Sequence, residues 1–295
     1  MLELFLRILG IIFPVFAIAA CGSVWGRRHR PDMSVVNRLN MEVFAPALVF
    51  WALSDKPFDF VLYRDLAVGG IAVVLGSGLL MLPLCRALGI NLKTFLPPMM
   101  FNNSGNMGIP LALFAFGEQA LQAAVVLFII EMVLHFTVGL YMLDHRTRPL
   151  QLLRMPMIQA TILGIACSAS GIALPAPFAN TIKLLGQVSI PLLLFALGVR
   201  LLDVNLRDWK LGVFGAIACP AAGVACVLLV RPWLSLDADQ FAQLLIFGAL
   251  PPAVLNVLLA EQYRQEPDRV ASVVMLGNLG SLVAIPLTLW FALPR

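Results

Sequence analysis

Apolar stretches of about twenty residues or more recur along the entire chain, at about residues 2–25, 34–53, 61–85, 94–116, 119–143, 150–174, 177–199, 209–230, 240–262 and 269–292. Each is close to the length that crosses the hydrocarbon core of a bilayer as a helix, about 20 residues. The hydrophilic segments between them are too short to fold as separate soluble domains. Only 12% of the residues are charged and 60% are apolar, where an average soluble domain carries about 25% and no more than about 50%. With a mean hydropathy of +0.92, this excludes a soluble enzyme, a disordered regulator and a nucleic-acid-binding module. The chain reads as an all-α polytopic membrane protein with ten spans. Arg27, Arg28 and Arg30 follow the first apolar stretch instead of preceding it, so that stretch reads as a span and not as a cleavable signal. The five cysteines all lie in apolar stretches without a CxxC pair and read as packing residues.

The distribution of basic residues orients the ten spans. Alternating sides, 14 of the 20 Lys and Arg, among them Arg27, Arg28, Arg30, Lys93, Arg146, Arg148 and Arg200, fall on one side. The other six are Arg7, Lys56, Arg64, Lys183, Arg231 and Arg295. Basic loops stay on the cytoplasmic side, which places both termini outside. The net charge of +4 then belongs to lipid-facing loops and does not call for a nucleic-acid partner.

Spans 2 and 7 share a pattern. Leu39, Val43, Pro46, Leu48 and Phe50 return as Leu184, Val188, Pro191, Leu193 and Phe195, each 145 residues later. A repeat of that length holds five spans, and an odd number forces the second copy into the membrane from the opposite face. The predicted halves are residues 1–145 and 146–295. Inverted repeats are characteristic of secondary transporters, whose substrate sites lie near the midplane at interrupted helices. The fourth span of each half is interrupted in this way. Span 4 carries Asn102, Asn103, Ser104, Gly105, Asn106, Gly108 and Pro110 at its centre, and span 9 carries Gly248, Pro251, Pro252 and Asn256. Proline removes a backbone donor and frees the carbonyl one turn back. Non-helical backbone survives at membrane depth only inside protein or along a cavity.

The stretch Asn103–Pro110, NSGNMGIP, with Gly117 after it and Pro251–Pro252 and Tyr263 in the second half, resembles the auxin efflux carrier family. That family contains plant auxin exporters and bacterial organic-acid permeases. The resemblance implies two inverted five-helix repeats with helices 4 and 9 broken and crossing, as in bile-acid sodium symporters. It implies a scaffold of spans 1, 2, 6 and 7, a moving transport domain of spans 3–5 and 8–10, and a homodimer joined through scaffold helices. Here the link between the halves, Asp144–Pro149, is short, and auxin itself is not implied as the substrate.

At such a crossing, helix N-termini offer unpaired N–H groups and partial positive charge, which suit a carboxylate. The amides of Asn102, Asn103, Asn106 and Asn256 add neutral donors. The expected substrate-binding set is Asn102, Asn103, Ser104, Gly105, Asn106, Pro110, Pro251, Pro252, Asn256 and Asn278, the last between Gly277 and Gly280 in span 10. Met99, Met100 and Phe101 read as packing. Candidates for coupling to a proton or cation are Glu131 with His135 one turn later, and Glu261 at the end of span 9. Glu131 and His135 form either a proton-sharing pair or a hydrogen-bonded structural one. Their ExxxH spacing is not a zinc motif. No cofactor or metal is expected. Glu42 with Arg38 reads as an ion pair within span 2.

The function that follows is secondary transport of a small organic anion (a carboxylate, with dicarboxylates and auxin-like acids included). It would run by elevator-like alternating access, in a bacterial inner membrane, with lipid and substrate as the partners. A sodium-coupled symporter of the same fold and a transport-dead receptor or sensor stand as alternatives. No pairing of nucleophile and base supports an enzyme.

Overall fold

The computed structural model describes residues 1–145, 149–171, 174–203 and 207–293, and the regular elements among them are all helical. The chain opens with α1 (Leu2–His29), then α2 (Ser34–Leu39) and α3 (Ala45–Ser54) joined by a π-helical turn at Asn40–Phe44, and then α4 (Phe60–Ala87). α5 (Leu92–Met100) and α6 (Ile109–Phe116) flank a break that ends in a second π turn, Ser104–Gly108. α7 (Leu121–Leu134) passes through a third π turn, His135–Gly139, into α8 (Leu140–Leu143). α9 (Pro156–Ala169), α10 (Ala176–Arg200) and α11 (Trp209–Val230) follow. α12 (Ala238–Ala249) and α13 (Leu255–Gln262) flank the second break, and α14 (Pro267–Ala292) comes last.

Six helical stretches of the described residues are long and apolar enough to cross a membrane unaided: Leu2–His29, Phe60–Ala87, Glu118–Leu143, Ala176–Arg200, Trp209–Trp233 and Pro267–Ala292. The other four predicted spans are shorter or interrupted. Residues 34–53 are divided by the π turn, and 94–116 and 240–262 are broken at their centres. The span expected from residue 150 becomes α-helical only at Pro156, because Pro149–Arg154 winds as a tighter 3-10 segment. Arg146, Thr147, Arg148, Ile172, Ala173 and Arg295, which entered the span and charge assignments, lie outside the described residues.

Burial is inverted relative to a soluble protein. Phe13, Ile217, Val283 and Phe291 are exposed on the outside, whereas Asn102, Asn103, Glu131, His135, Asn256 and Asn278 are buried. That arrangement suits a hydrocarbon solvent, in which polar groups must be satisfied internally. α1, α3, α9 and α10 pack on one another, and α4, α5, α7, α11, α12 and α14 form a second packed set. α1 reaches across to α6 and α14, and α3 to α7. The α1–α10 seam is close because glycine faces backbone. A Cβ on Gly22 would fall on the Phe195 carbonyl, and one on Gly198 on that of Ala19. Ser23 Oγ then donates to Gly198 O at 2.6 Å across the seam.

The helices that lead into the two breaks begin in the same way. Asn91 accepts from Lys93 N at the start of α5, and Asp237 accepts from Gln240 N at the start of α12. Both are side-chain N-caps that satisfy first-turn donors.

Candidate functional site

The two breaks meet. Residues on either side of Asn102 and Pro252 run antiparallel and form a single β-bridge. Asn103 N donates to Pro251 O at 2.7 Å, and Ala253 N donates to Phe101 O at 2.9 Å. The side chains continue this exchange. Pro251 has no N–H to give to Phe247 O, four residues back, and Asn102 Nδ2 from the other break donates to that carbonyl at 2.6 Å. Phe101 O, at the end of α5, also accepts from Asn256 Nδ2 at 3.0 Å. Asn278 Nδ2 of α14 donates to Pro252 O at 3.0 Å, and its Oδ1 accepts from Asn103 Nδ2 at 2.8 Å. Each break therefore satisfies carbonyls that the other has freed. Gly277 permits this, since a Cβ there would lie 2.6 Å from Pro252 Cδ. Cys219 sits beneath the crossing, its Sγ 3.6 Å from both Pro98 O and Leu250 O.

A cavity of about 220 Å³ opens beside the crossing. One wall carries Asn102, Asn103, Gly105, Asn106 and Ala253 from the breaks, with Phe128, Glu131 and His135 from α7 and its π turn. The opposite wall is Asn37, Asn40, Ala45 and Leu48 from the second predicted span, with Ser189, Leu197 and Arg200 from α10. The space thus lies between the two packed sets of helices and runs from the crossing toward Arg200. A separate hollow of about 20 Å³ lies behind the break, between Ser104 and Gln243, whose Oε1 is buried without a partner. That is room for one water.

Glu131 and His135 are 4% and 2% exposed and face the cavity. His135 Nδ1 lies 3.6 Å from Glu131 Oε1, and Ser104 Oγ donates to Glu131 Oε2. The imidazole stacks on the Phe101 ring at 4.1 Å and 5°, and its Nε2 is buried without a partner among the described residues. Gly139 closes the pocket, since a Cβ there would press on Phe101 and His135. A π turn starts at His135, and such turns are frequent at functional sites. One buried carboxylate is thereby tied to the break through Ser104 and to an imidazole through space.

The sequence matches the model of the family described as membrane transport protein over residues 8–290. The chain belongs to that family. It is similar to a protein of Rhizobium meliloti (strain 1021) named "Putative malonate transporter", 27% identical over 306 residues that cover 95% of this chain and 94% of that one. An uncharacterized transporter of Methanocaldococcus jannaschii is 25% identical over 307 residues, 96% of this chain and 97% of its own. Auxin efflux carrier component 1 of Arabidopsis thaliana is 26% identical over 149 residues, 48% of this chain and 23% of that protein. The resemblance to the auxin efflux carrier family is thus shown. The protein is a multi-pass membrane transporter and not an enzyme.

The predicted site residues of this transporter divide by what they touch. Asn102, Asn103, Gly105, Asn106, Glu131 and His135 line the cavity. Asn106 makes no side-chain hydrogen bond among the described residues. Ser104, Pro110, Pro251 and Pro252 are buried in the broken segments. The sequence expectation placed the Asn106 and Asn256 amides in one cavity. Asn256 instead turns its amide to the Phe101 and Ala253 carbonyls and is not among the cavity-lining residues. Asn278 is likewise a fastener of the crossing. Glu261 is exposed at the end of α13, away from the cavity. Phe101, read as packing, contributes a carbonyl to the crossing and a ring to His135. Arg38 and Glu42 form no ion pair among the described residues, so the expected pair within the second span is not made. Sequence reasoning missed Asn40 and Ser189. Asn40 had a usable signal, an amide inside an otherwise apolar span.

Proposed function

We propose that the protein is a secondary transporter of a small organic anion, working by elevator-type alternating access in a bacterial inner membrane. In this reading the interrupted helices complete ten crossings, arranged as two inverted five-helix repeats, residues 1–145 and 146–295, with both termini outside. α1, α2–α3, α9 and α10 form the scaffold, and the remaining helices form the moving body. The observation that carries the reading is the exchange of backbone hydrogen bonds between the two breaks, next to a cavity between the two packed sets. The exchange lets the broken helices travel as one unit.

The substrate carboxylate sits at the crossing, where the segments starting at Ser104 and Leu255 turn their N-terminal ends inward. The first-turn N–H groups of the Ser104 segment, with the Asn106 amide, favour an anion there, whereas at Leu255 the N–H groups of Asn256 and Val257 already donate to Ala253 O and Val254 O and that end adds only its partial positive charge. The names of the Rhizobium and Arabidopsis relatives support an organic acid as cargo. The cavity runs toward Arg200, on the side rich in basic residues, so this conformation faces the cytoplasm. Glu131, the one carboxylate among the described residues lining the cavity, stands 3.6 Å from His135, and in this reading the pair couples uptake to the pH gradient. That favours proton over sodium coupling, since Glu261 stands apart.

The test is thermal stabilisation of the purified transporter by mono- and dicarboxylates, together with uptake of the best ligand into proteoliposomes under an imposed pH gradient. Stabilisation by a carboxylate and gradient-driven uptake are the expected results. A protein that no carboxylate stabilises and that moves none of them would sink the reading.

A further inference from the structure

The wall opposite the crossing holds polar groups that the fold leaves unused. Asn40 is 1% exposed, and neither its Nδ2 nor its Oδ1 has a hydrogen-bond partner among the described residues. Ser189 is fully buried, and its Oγ has none either. Both line the cavity, from two adjacent elements, the π turn at Asn40–Phe44 and α10. Burying an amide or hydroxyl without a partner is costly, and native proteins seldom do it without a reason. Here no group among the described residues offers a partner, so the partner comes from the cavity that both residues line, as the polar head of the cargo.

The chemistry of the two groups limits what that part of the cargo is. An amide presents a donor and an acceptor side by side, and a hydroxyl can serve as either. A carboxylate would use the donors but set its charge against Asn40 Oδ1. An uncharged head that both donates and accepts, a protonated carboxyl or a carboxamide, satisfies both edges at once. Arg200 also lines the cavity, but it already interacts with another part of the protein. The surface between the crossing and this wall is apolar, formed by residues such as Ala45, Leu48, Ile109 and Met132. The volume of about 220 Å³ is below the roughly 300–1,000 Å³ of a drug-sized site.

We infer that Asn40 and Ser189 form a second recognition subsite on the static wall, which takes an uncharged hydrogen-bonding head of a short two-headed acid whose carboxylate lies at the crossing. This rests on the organic-anion reading above. It makes the preferred cargo the singly charged form of a small dicarboxylic acid, or its monoamide. The cargo spans the two bodies, so releasing its far head is part of the movement.

The test measures affinity by thermal stabilisation for three acids of similar length: succinamate, succinate and pentanoate. The parent should bind succinamate about tenfold more tightly than pentanoate, as expected for one or two net hydrogen bonds. Its affinity for succinate relative to succinamate should rise from pH 7.5 to 5.5, where more succinate is singly charged; a proton taken up by the cavity itself acts on both acids and cancels in that ratio. Asn40→Leu should remove the preference for succinamate and leave pentanoate as tight as in the parent or tighter. Ser189→Ala should do the same to a smaller degree, and it stands in for Asn40→Leu should that variant misfold. Equal binding of succinamate and pentanoate by the parent would overturn the subsite, as would Asn40→Leu or Ser189→Ala variants that weaken both acids alike. A preference for the succinate dianion at pH 7.5 would overturn it in favour of a charged second contact at Arg200. Failure of all three acids to stabilise the parent would instead remove the organic-anion reading, and this inference with it.

Discussion

Asn106 and Asn256 look interchangeable in the sequence, and the structure gives them opposite tasks, which makes the pair a sharp test. Asn256 is 3% exposed and donates to Phe101 O at 3.0 Å and to Ala253 O at 2.9 Å. Hydrogen bonds between membrane helices are worth about 0.6 kcal/mol on average and up to about 2 kcal/mol. Truncating Asn256 removes two bonds and leaves Phe101 O with Ala253 N alone and Ala253 O with Asn256 N alone, each short of its second donor in a buried place. Asn256→Ala should therefore cost about 1–4 kcal/mol of stability, read as a clearly lowered melting temperature and poorer monodispersity in detergent. Whatever fraction folds should bind its ligand close to normally. Asn106 is partly exposed to the cavity and has no side-chain hydrogen bond to lose among the described residues. Asn106→Ala should melt like the parent but lose about 1.5–3 kcal/mol of affinity for an anionic ligand, roughly 10- to 150-fold. Melting curves of both variants with and without a stabilising carboxylate measure both quantities in one experiment. A well-folded Asn256→Ala protein with parent-like melting and lost affinity would refute the fastener role. An Asn106→Ala protein with low stability and full affinity would refute the cavity role.

Glu131→Gln should abolish the dependence of uptake on a pH gradient while substrate exchange continues, because Ser104 can still donate to the remaining amide oxygen. Full proton-driven uptake by a folded variant would remove the pair from coupling. Cysteines placed at Lys56, Gly117 and Lys183 should react with an impermeant thiol reagent from outside, and those at Arg28 and Lys93 only after the membrane is opened; reversed labelling would sink the orientation. At the start of α14, the Thr94 hydroxyl, 2.5 Å from Glu266 Oε2, and secondarily Arg269 hold the Glu266 carboxyl below its ordinary value of 4.5. A carboxyl lowered on folding contributes stability that is full above its unfolded value and lost as pH falls through the folded one. Thr94→Val should accordingly lower the melting temperature at pH 7 and approach the parent as the pH falls below 4.5 through the lowered value; a difference independent of pH would refute the link.

Much of this protein is decided locally and is readable along the chain. The length of an apolar stretch against the thickness of a bilayer fixes where helices can cross, and the ten stretches agree with the helical segments to within a few residues, except where Pro156 delays α9. Proline and glycine act on their own backbone, so the two breaks at residues 101–103 and 250–253 were marked by Pro251, Pro252 and the asparagine cluster before any contact was known. The tertiary structure alone decided what the polar residues of those segments do. Asn102 serves a carbonyl 145 positions away, Asn256 one 155 positions away, and Asn106 none. Such choices depend on which freed carbonyl comes within 3 Å, which no local rule specifies. The same holds for Arg38 and Glu42, four residues apart yet unpaired with each other among the described residues, and for Glu131, joined to the break by a serine 27 residues earlier. Asn40 and Ser189 show it most plainly. Their lack of partners is a property of the space between two packed bodies, and that space exists only once the chain has folded.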